Sequence, residues 1–297
     1  MRFMLRFVLS LILYAAVAAP APAQAPLGQP WDSVARILQA PGVFAGGYYR
    51  YNLPRRDLTV RVGDVTVAPA LALGAWAGFS GDSSAATMMG DLVLTSAELR
   101  PVLAELARQR IEVTAIHNHL VGEEPQITYV HFHDEGGALD LAVRLNRAVA
   151  LTGTPRPVLA APPQPLAIDT TAVFGTLGRS GRAQGSVAQL SFILVPGTVT
   201  MRGRTVTPAL GYGSPINVQM VSQSRAVATG DFAVGAASVY GILDALASHG
   251  IVATAVHSHL IGESPQLYYI HFWADGPLPE VLAGLKAALD AVRDVSP

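Results

Sequence analysis

The sequence predicts an α+β protein built twice: a tandem duplication of a small mixed sheet-plus-helices domain, its copies related by a pseudo-twofold. Three observations carry this expectation. The stretch Thr114–Asp134, TAIHNHLVGEEPQITYVHFHD, returns 140 positions later without a gap as Thr254–Ala274, TAVHSHLIGESPQLYYIHFWA. Landmarks before it return in the same order, Thr66-Val67-Ala68-Pro69-Ala70-Leu71 as Thr205-Val206-Thr207-Pro208-Ala209-Leu210 and Gly90-Asp91 as Gly230-Asp231. Between the copies, residues 155–166 hold five prolines in twelve positions and no periodic face, the composition of a linker. The chain therefore divides into a first repeat over 31–154, the linker 155–166 and a second repeat over 167–297, and a duplicated pair is expected to pack closely.

Within the first repeat, Asp32–Gln39 has a capping aspartate and apolar residues at helical spacing, so a short helix is expected. Four β-like runs follow, Tyr48–Asn52, Leu58–Val62, Val65–Val67 and Leu71–Phe79, punctuated by proline and glycine. A strand over Asp91–Leu94 leads to Thr95-x-x-Glu98, a capping-box pattern opening a helix to about Gln109, with Pro101 in its early turns. Runs at Ile111–Leu120 and Gln126–His133 then form a hairpin, and a helix over Ala138–Ala150 closes the repeat. In the second repeat Asp169 opens a short helix and Val239–Ser248 is the helix before the second hairpin.

The N-terminus reads as an export signal over residues 1–25: Arg2 and Arg6, an apolar run Phe7–Val17 too short to span a bilayer, then Ala21-Pro22-Ala23 and Ala23-Gln24-Ala25. A periplasmic or secreted protein with no membrane span after cleavage is expected. Half the residues are apolar and the net charge is -1, so a filled core is expected and no electrostatic footprint for nucleic acid is present. The chain has no cysteine, which excludes disulfides, thiolate catalysis and thiolate metal ligands together. Neither a phosphate-binding glycine loop nor a nucleophile elbow is found.

Seven of the eight histidines fall in the two repeated windows, His249 being the exception. Strand alternation puts His117 and His119 on one face, and Tyr129, His131 and His133 on one face of the next run. A hairpin centred near Pro125 would oppose His119 to His131 and His117 to His133; in the second copy it would oppose His259 to His271 and His257 to Trp273. Neutral imidazoles suit zinc or another divalent transition metal, so the expected sites are His117, His119 and His131 in one repeat and His257, His259 and His271 in the other. Glu123 and Glu263, four residues after the second histidine of each copy, are candidate bases, and Tyr129 and Tyr269 candidate oxyanion donors. Val130, Phe132, Ile270 and Phe272 are expected on the opposite, core face. Asp91 and Asp231, each after a glycine at a strand start, read as turn carboxylates, the alternative being that the fold draws them into the site.

Paired copies of His-Asn-His-Leu-x-Gly-Glu-x-Pro followed by Tyr-x-His-Phe, with Ser258 for the asparagine in the second copy, resemble the LppY/LpqO family of exported bacterial proteins. The resemblance implies two repeats and an extracytoplasmic setting, and it transfers no catalytic residue. The spacing His117-x-His119-x-x-x-Glu123 also copies half of a cupin motif, but helices flanking the hairpin argue against that barrel. His-x-His with a third histidine a dozen residues on is similar to the zinc site of acetolactate decarboxylase, a spacing analogy over one hairpin. The expected function is thus a metal-dependent hydrolase or lyase on a small oxygenated substrate. A non-catalytic periplasmic binding protein for metal or ligand, and a purely structural repeat pair, are the alternatives.

Overall fold

A computed structural model describes residues 27–159 and 168–293. The expected signal segment and residues 160–166 of the linker lie outside the described residues. The first repeat runs α1 (Trp31–Leu38), β1 (Gly42–Ala45), β2 (Tyr48–Pro54), β3 (Arg61–Val62), β4 (Val65–Thr66), α2 (Pro69–Ala72), β5 (Gly74–Ser80), β6 (Ala86–Thr95), α3 (Ser96–Arg108), β7 (Glu112–His117), β8 (Glu123–Glu124), β9 (Ile127–Gly136) and α4 (Ala138–Val149). The second repeats that order as α5 (Thr170–Leu177), β10 (Arg182–Gln184), β11 (Val187–Phe192), β12 (Thr200–Met201), β13 (Arg204–Thr205), α6 (Pro208–Gly211), β14 (Ser214–Met220), β15 (Arg225–Val234), α7 (Ala236–Ser248), β16 (Val252–His257), β17 (Glu263–Ser264), β18 (Tyr268–Pro277) and α8 (Leu278–Asp290). The duplicated α+β architecture is therefore present element for element.

Each repeat folds into a six-stranded antiparallel sheet, in order β1-β2-β5-β6-β9-β7 and β10-β11-β14-β15-β18-β16, with a three-stranded sheet, β4-β3-β8 or β13-β12-β17, at its side. Helices cover one face. Val130 and Phe132 of β9 and Ile270 and Phe272 of β18 are buried on that face, so alternation sends Tyr129, His131, Tyr269 and His271 to the other. That second face is covered by the other repeat. Tyr48 and Met89 share a buried cluster with Val199, Leu210 and Tyr269. Gln219 joins the repeats through the main chain, donating to Thr66 and accepting from the Ala68 N–H, each at 2.8 Å.

Several local expectations change in the structure. Leu71–Phe79 is not one strand, because Pro69 sits at the first position of a one-turn helix, where its fixed φ suits a helix start, and β5 begins only at Gly74. Asp32 lies inside the first turn of α1 rather than before it, and accepts from the N–H groups of Leu27 and Gly28. Strand β6 is much longer than Asp91–Leu94, because it is the central strand paired along its length with β9. The capping box at Thr95 and Glu98 forms, with the Thr95 N–H donating to Glu98 at 2.8 Å, and Asp169 caps α5. Among the described residues no helix is long and apolar enough to cross a membrane.

Candidate metal centre

The hairpin that carries the histidines is in a different register from the one expected. His117 lies opposite Tyr129 and Ala115 opposite His131; likewise His257 lies opposite Tyr269 and Ala255 opposite His271. The connection is longer than a simple turn because β8 leaves the hairpin to pair with β3 in the side sheet, and β17 does the same with β12. His119 and His259 therefore stand in the connection, beyond the strand ends. His133, expected opposite His117, instead pairs with Glu112, where Glu112 and Glu135 lie 3.5 and 3.7 Å from its ring nitrogens. Arg202 and Arg204 of the second repeat bind those two glutamates, so His133 belongs to an ionic seam between repeats and not to the histidine cluster.

The six remaining histidines come together as one cluster across the pseudo-twofold. The rings of His119 and His271 are 3.7 Å apart between centroids, and the equivalent pair, His259 and His131, 3.8 Å. His117 and His257, which the twofold exchanges, face each other at 4.1 Å. Each triplet was expected to make its own site. The triplets do gather, but because the repeats pack on their histidine faces they gather together. Ligand atoms lie within 4.8 Å of one another in His117, His119 and His131; in His117, His257, His259 and His271; and in His119, Asp231 and His271.

Spacing inside the second triplet is informative. The His271 Nε2 is 3.3 Å from the Nε2 of His259 and 3.3 Å from the Nε2 of His257. Nitrogens bound tetrahedrally to zinc at about 2.0–2.1 Å are separated by about 3.3–3.4 Å. The His271 Nδ1 lies 2.8 Å from the Asp231 carboxylate. The hydrogen bond of that nitrogen runs to the Gly230 carbonyl oxygen at 3.3 Å; donation of the Nδ1 proton there, with the Asp231 carboxylate beside it, leaves the Nε2 lone pair turned toward His257 and His259, an outer-partner arrangement that accompanies bound metals. Three nitrogens elsewhere in the cluster, His117 Nε2, His131 Nε2 and His257 Nδ1, are buried without a hydrogen-bond partner. Leaving such a group unsatisfied costs about 1–3 kcal/mol each, and a cation shared by lone pairs removes that cost.

Electrostatics favour the neutral ligand form. Burial first, and then the neighbouring imidazoles, push His119, His131 and His259 well below the ordinary histidine range. The same causes lower His117, and burial with His271 brings His257 down to about 3. Uncharged imidazoles carry the lone pairs a metal needs. Asp91 and Asp231 are the residues underweighted by sequence reasoning. Each is buried and lies directly across the sheet from a cluster histidine, Asp91 from His131 and Asp231 from His271. Burial, and then the charge of Asp231, raise the Asp91 carboxyl well above the usual range, with Arg50 pulling the other way. Recurrence of Gly-Asp in both copies was the available signal.

The other expected residues lie beside the cluster. Tyr129 and Tyr269 pack on it, Tyr269 stacked on His259 at 3.8 Å and Tyr129 at 4.2 Å from His119. Their hydroxyls donate to the carbonyls of Ala72 and Gly211, and burial raises both phenols well above the usual range. Glu123 accepts from the Ile127 N–H, and Glu263 from the Leu267 N–H and the Ser258 hydroxyl. Neither glutamate belongs to the three ligand groups. Their visible work is to hold the connection that presents His119 and His259. A cleft of about 850 Å3 between the repeats is lined by Asp91, His119, His131, Asp231 and His259.

A duplicated sheet whose histidine faces meet defines a two-repeat α+β protein with a composite imidazole centre. The chain belongs to the family described as a Domain of Unknown Function (DUF1259), whose model matches residues 32–151 and 171–291. No curated protein matches it. Solved structures similar to it include the fused permuted hexameric shell protein MSM0275 from the RMM microcompartment, at 16% identity, covering 72% of this chain and 88% of that one with a TM-score of 0.18. Another is the trimeric bacterial microcompartment shell protein PduB, at 12% identity, 86% and 91% coverage and a TM-score of 0.22. Scores this low carry no argument about this chain.

Proposed function

We propose that this is an exported metalloprotein of the LppY/LpqO kind, whose histidine cluster holds a divalent transition metal, zinc first, at the junction of the repeats. The observation that carries this reading is the second triplet: the Nε2 atoms of His257 and His259 each lie 3.3 Å from the Nε2 of His271, whose Nδ1 is hydrogen-bonded to the Gly230 carbonyl and lies 2.8 Å from Asp231. Twofold-related His117, His119 and His131 offer a second seat. An all-imidazole set with buried carboxylate support favours zinc, copper, iron or nickel over magnesium or calcium.

In this reading the protein is a hydrolase or lyase on a small oxygenated molecule in the cleft. The bound ion supplies Lewis acidity, polarising a carbonyl or water. Asp231 and the Gly230 carbonyl orient His271, and Asp91, which lies across the sheet from His131 and whose carboxyl burial keeps protonated more readily, can hold or give up a proton beside the cluster. Glu123 and Glu263 fix the loops that present His119 and His259 and serve as further proton carriers. Tyr129 and Tyr269 close the floor of the cleft and exclude water.

A second reading, a non-catalytic binding protein for metal or ligand, is favoured by one observation: four imidazoles, His117, His257, His259 and His271, fall in one group, and a closed four-ligand set is the mark of structural zinc. Metal analysis of protein purified without a histidine tag tests the shared claim, comparing wild type with His119→Ala plus His259→Ala. Near-stoichiometric metal in the first and its loss in the second are expected. Wild-type protein that takes up no metal after reconstitution would refute the metalloenzyme and the metal-binding protein alike. With metal present, turnover of ester, lactone or decarboxylation substrates separates enzyme from binder.

A further inference from the structure

We infer that the cleft binds the carboxylate of a small, singly charged organic acid on Arg50, with the far end of that molecule at the histidine cluster. Arg50 in β2 lines the cleft, its guanidinium lying 4.2 Å over the Trp76 ring. It donates from Nε to Asn52 at 2.8 Å and from one Nη to the Tyr48 hydroxyl at 3.1 Å. A guanidinium has five N–H donors, so the others remain for a guest. Arg55, Arg144 and Arg225 are each matched to carboxylates. Among the described residues no carboxylate lies within ion-pair distance of Arg50. A half-buried, unmatched cation held rigid by neutral partners is what a binding site for an anion requires.

Placement sets the size of the guest. Asn52, Trp76, Asp91 and His131 are successive cross-strand partners along one row of the sheet. Strands are about 4.8 Å apart, so this row spans roughly 14–15 Å between its end Cα atoms. Arg50, bent over Trp76, and His131, pointing into the cleft, each shorten that span to the reach of an acid of a few carbons. The second repeat does not duplicate the cation. Gln189 stands opposite Asn217 as Arg50 stands opposite Gly78, and its amide is spent on the Ala70 carbonyl and on Arg182, which also lines the cleft. Two buried aspartates, Asp91 and Asp231, line the same cleft and oppose negative charge beyond the one carboxylate seated on Arg50, which suits a monoanion and disfavours a phosphomonoester.

The assignment of this acid as substrate rests on the cluster being the metal centre proposed above, whereas the anion seat itself does not need the metal. Calorimetric titration of the full chain with lactate, after metal removal by a chelator, tests it. Lactate is expected to saturate at a Kd on the order of millimolar, inorganic phosphate to bind more weakly, and Arg50→Gln, the side chain of the second repeat at this place, to weaken lactate about tenfold or more. Arg50→Lys, which keeps the charge and loses the planar fork, is expected between the two. Absence of saturation, an unchanged affinity in Arg50→Gln, or phosphate binding more tightly than lactate overturns the inference. Metal content measured on the untreated samples separates the claims: metal retained without lactate binding removes this inference alone, and lactate bound by protein that never takes up metal removes the metal reading alone.

Discussion

His271 holds its Nδ1 2.8 Å from the carboxylate of Asp231, and the two residues are direct cross-strand partners in β18 and β15. That contact, together with the hydrogen bond of Nδ1 to the Gly230 carbonyl, fixes which imidazole nitrogen faces the cluster. Removing the charge without changing the shape, Asp231→Asn, is expected to lower metal affinity about 10–100-fold. A chelator competition titration reads this directly, and an unchanged affinity would show that Asp231 does not orient the ligand.

His117 belongs to one repeat and to ligand groups built in both. His117→Ala is therefore expected to alter the metal held by His257, His259 and His271, although it lies about 140 positions away in sequence. Cobalt substituted for zinc reports this through its visible spectrum, which follows coordination number. A spectrum identical to wild type, at equal cobalt content, would mean that the repeats bind metal independently.

Arg55 is 1% exposed and bridges Asp57 and Glu98. Burial alone would raise the Glu98 carboxyl, but Arg55 and the N–H groups of Thr95 and Gly153 together hold it below the ordinary glutamate range. A carboxyl depressed on folding contributes stability above its unfolded pKa of about 4.3, and that contribution is lost as pH falls through the folded value. Glu98→Gln removes one of the two carboxylate partners of Arg55 and should cost about 1–3 kcal/mol at neutral pH. Denaturant melts are expected to show the gap between wild type and Glu98→Gln closing below about pH 4; a gap that stays constant with pH would contradict the assignment.

Gly90 and Gly230 precede the two buried aspartates. A Cβ on Gly230 would lie 2.1 Å from the Pro215 carbonyl oxygen, and one on Gly90 would lie 2.3 Å from both the Phe132 ring and the Trp76 carbonyl oxygen. Backbone cannot yield as a side chain does, so Gly230→Ala is expected to cost at least about 1–3 kcal/mol and to weaken metal binding by displacing Asp231. A Gly230→Ala protein with wild-type melting and metal affinity would remove the steric explanation of the repeated Gly-Asp.

Much of this was legible in the sequence, for identifiable reasons. The gapless return of Thr114–Asp134 revealed the duplication, and strand alternation separated His131 from Val130 and Phe132 correctly, because both depend only on local periodicity. The hairpin register was not legible. It is set by β8 leaving to pair with β3, a contact spanning some 60 residues. Asp91 looked like a turn residue because its strand seemed short; the pairing of β6 with β9 places it mid-sheet, across from His131. That both triplets form one cluster depends on how two sheets meet, and no spacing within either repeat encodes that.

Anomalous diffraction from crystals grown with zinc tests the central claim most directly. The composite centre predicts a peak at the junction of the repeats, about 2.0–2.1 Å from the Nε2 of His271, with nitrogens of His257 and His259 and an imidazole of the first repeat in its coordination shell. Zinc-loaded crystals with no peak among these six histidines, or with peaks confined to surface residues, would contradict it.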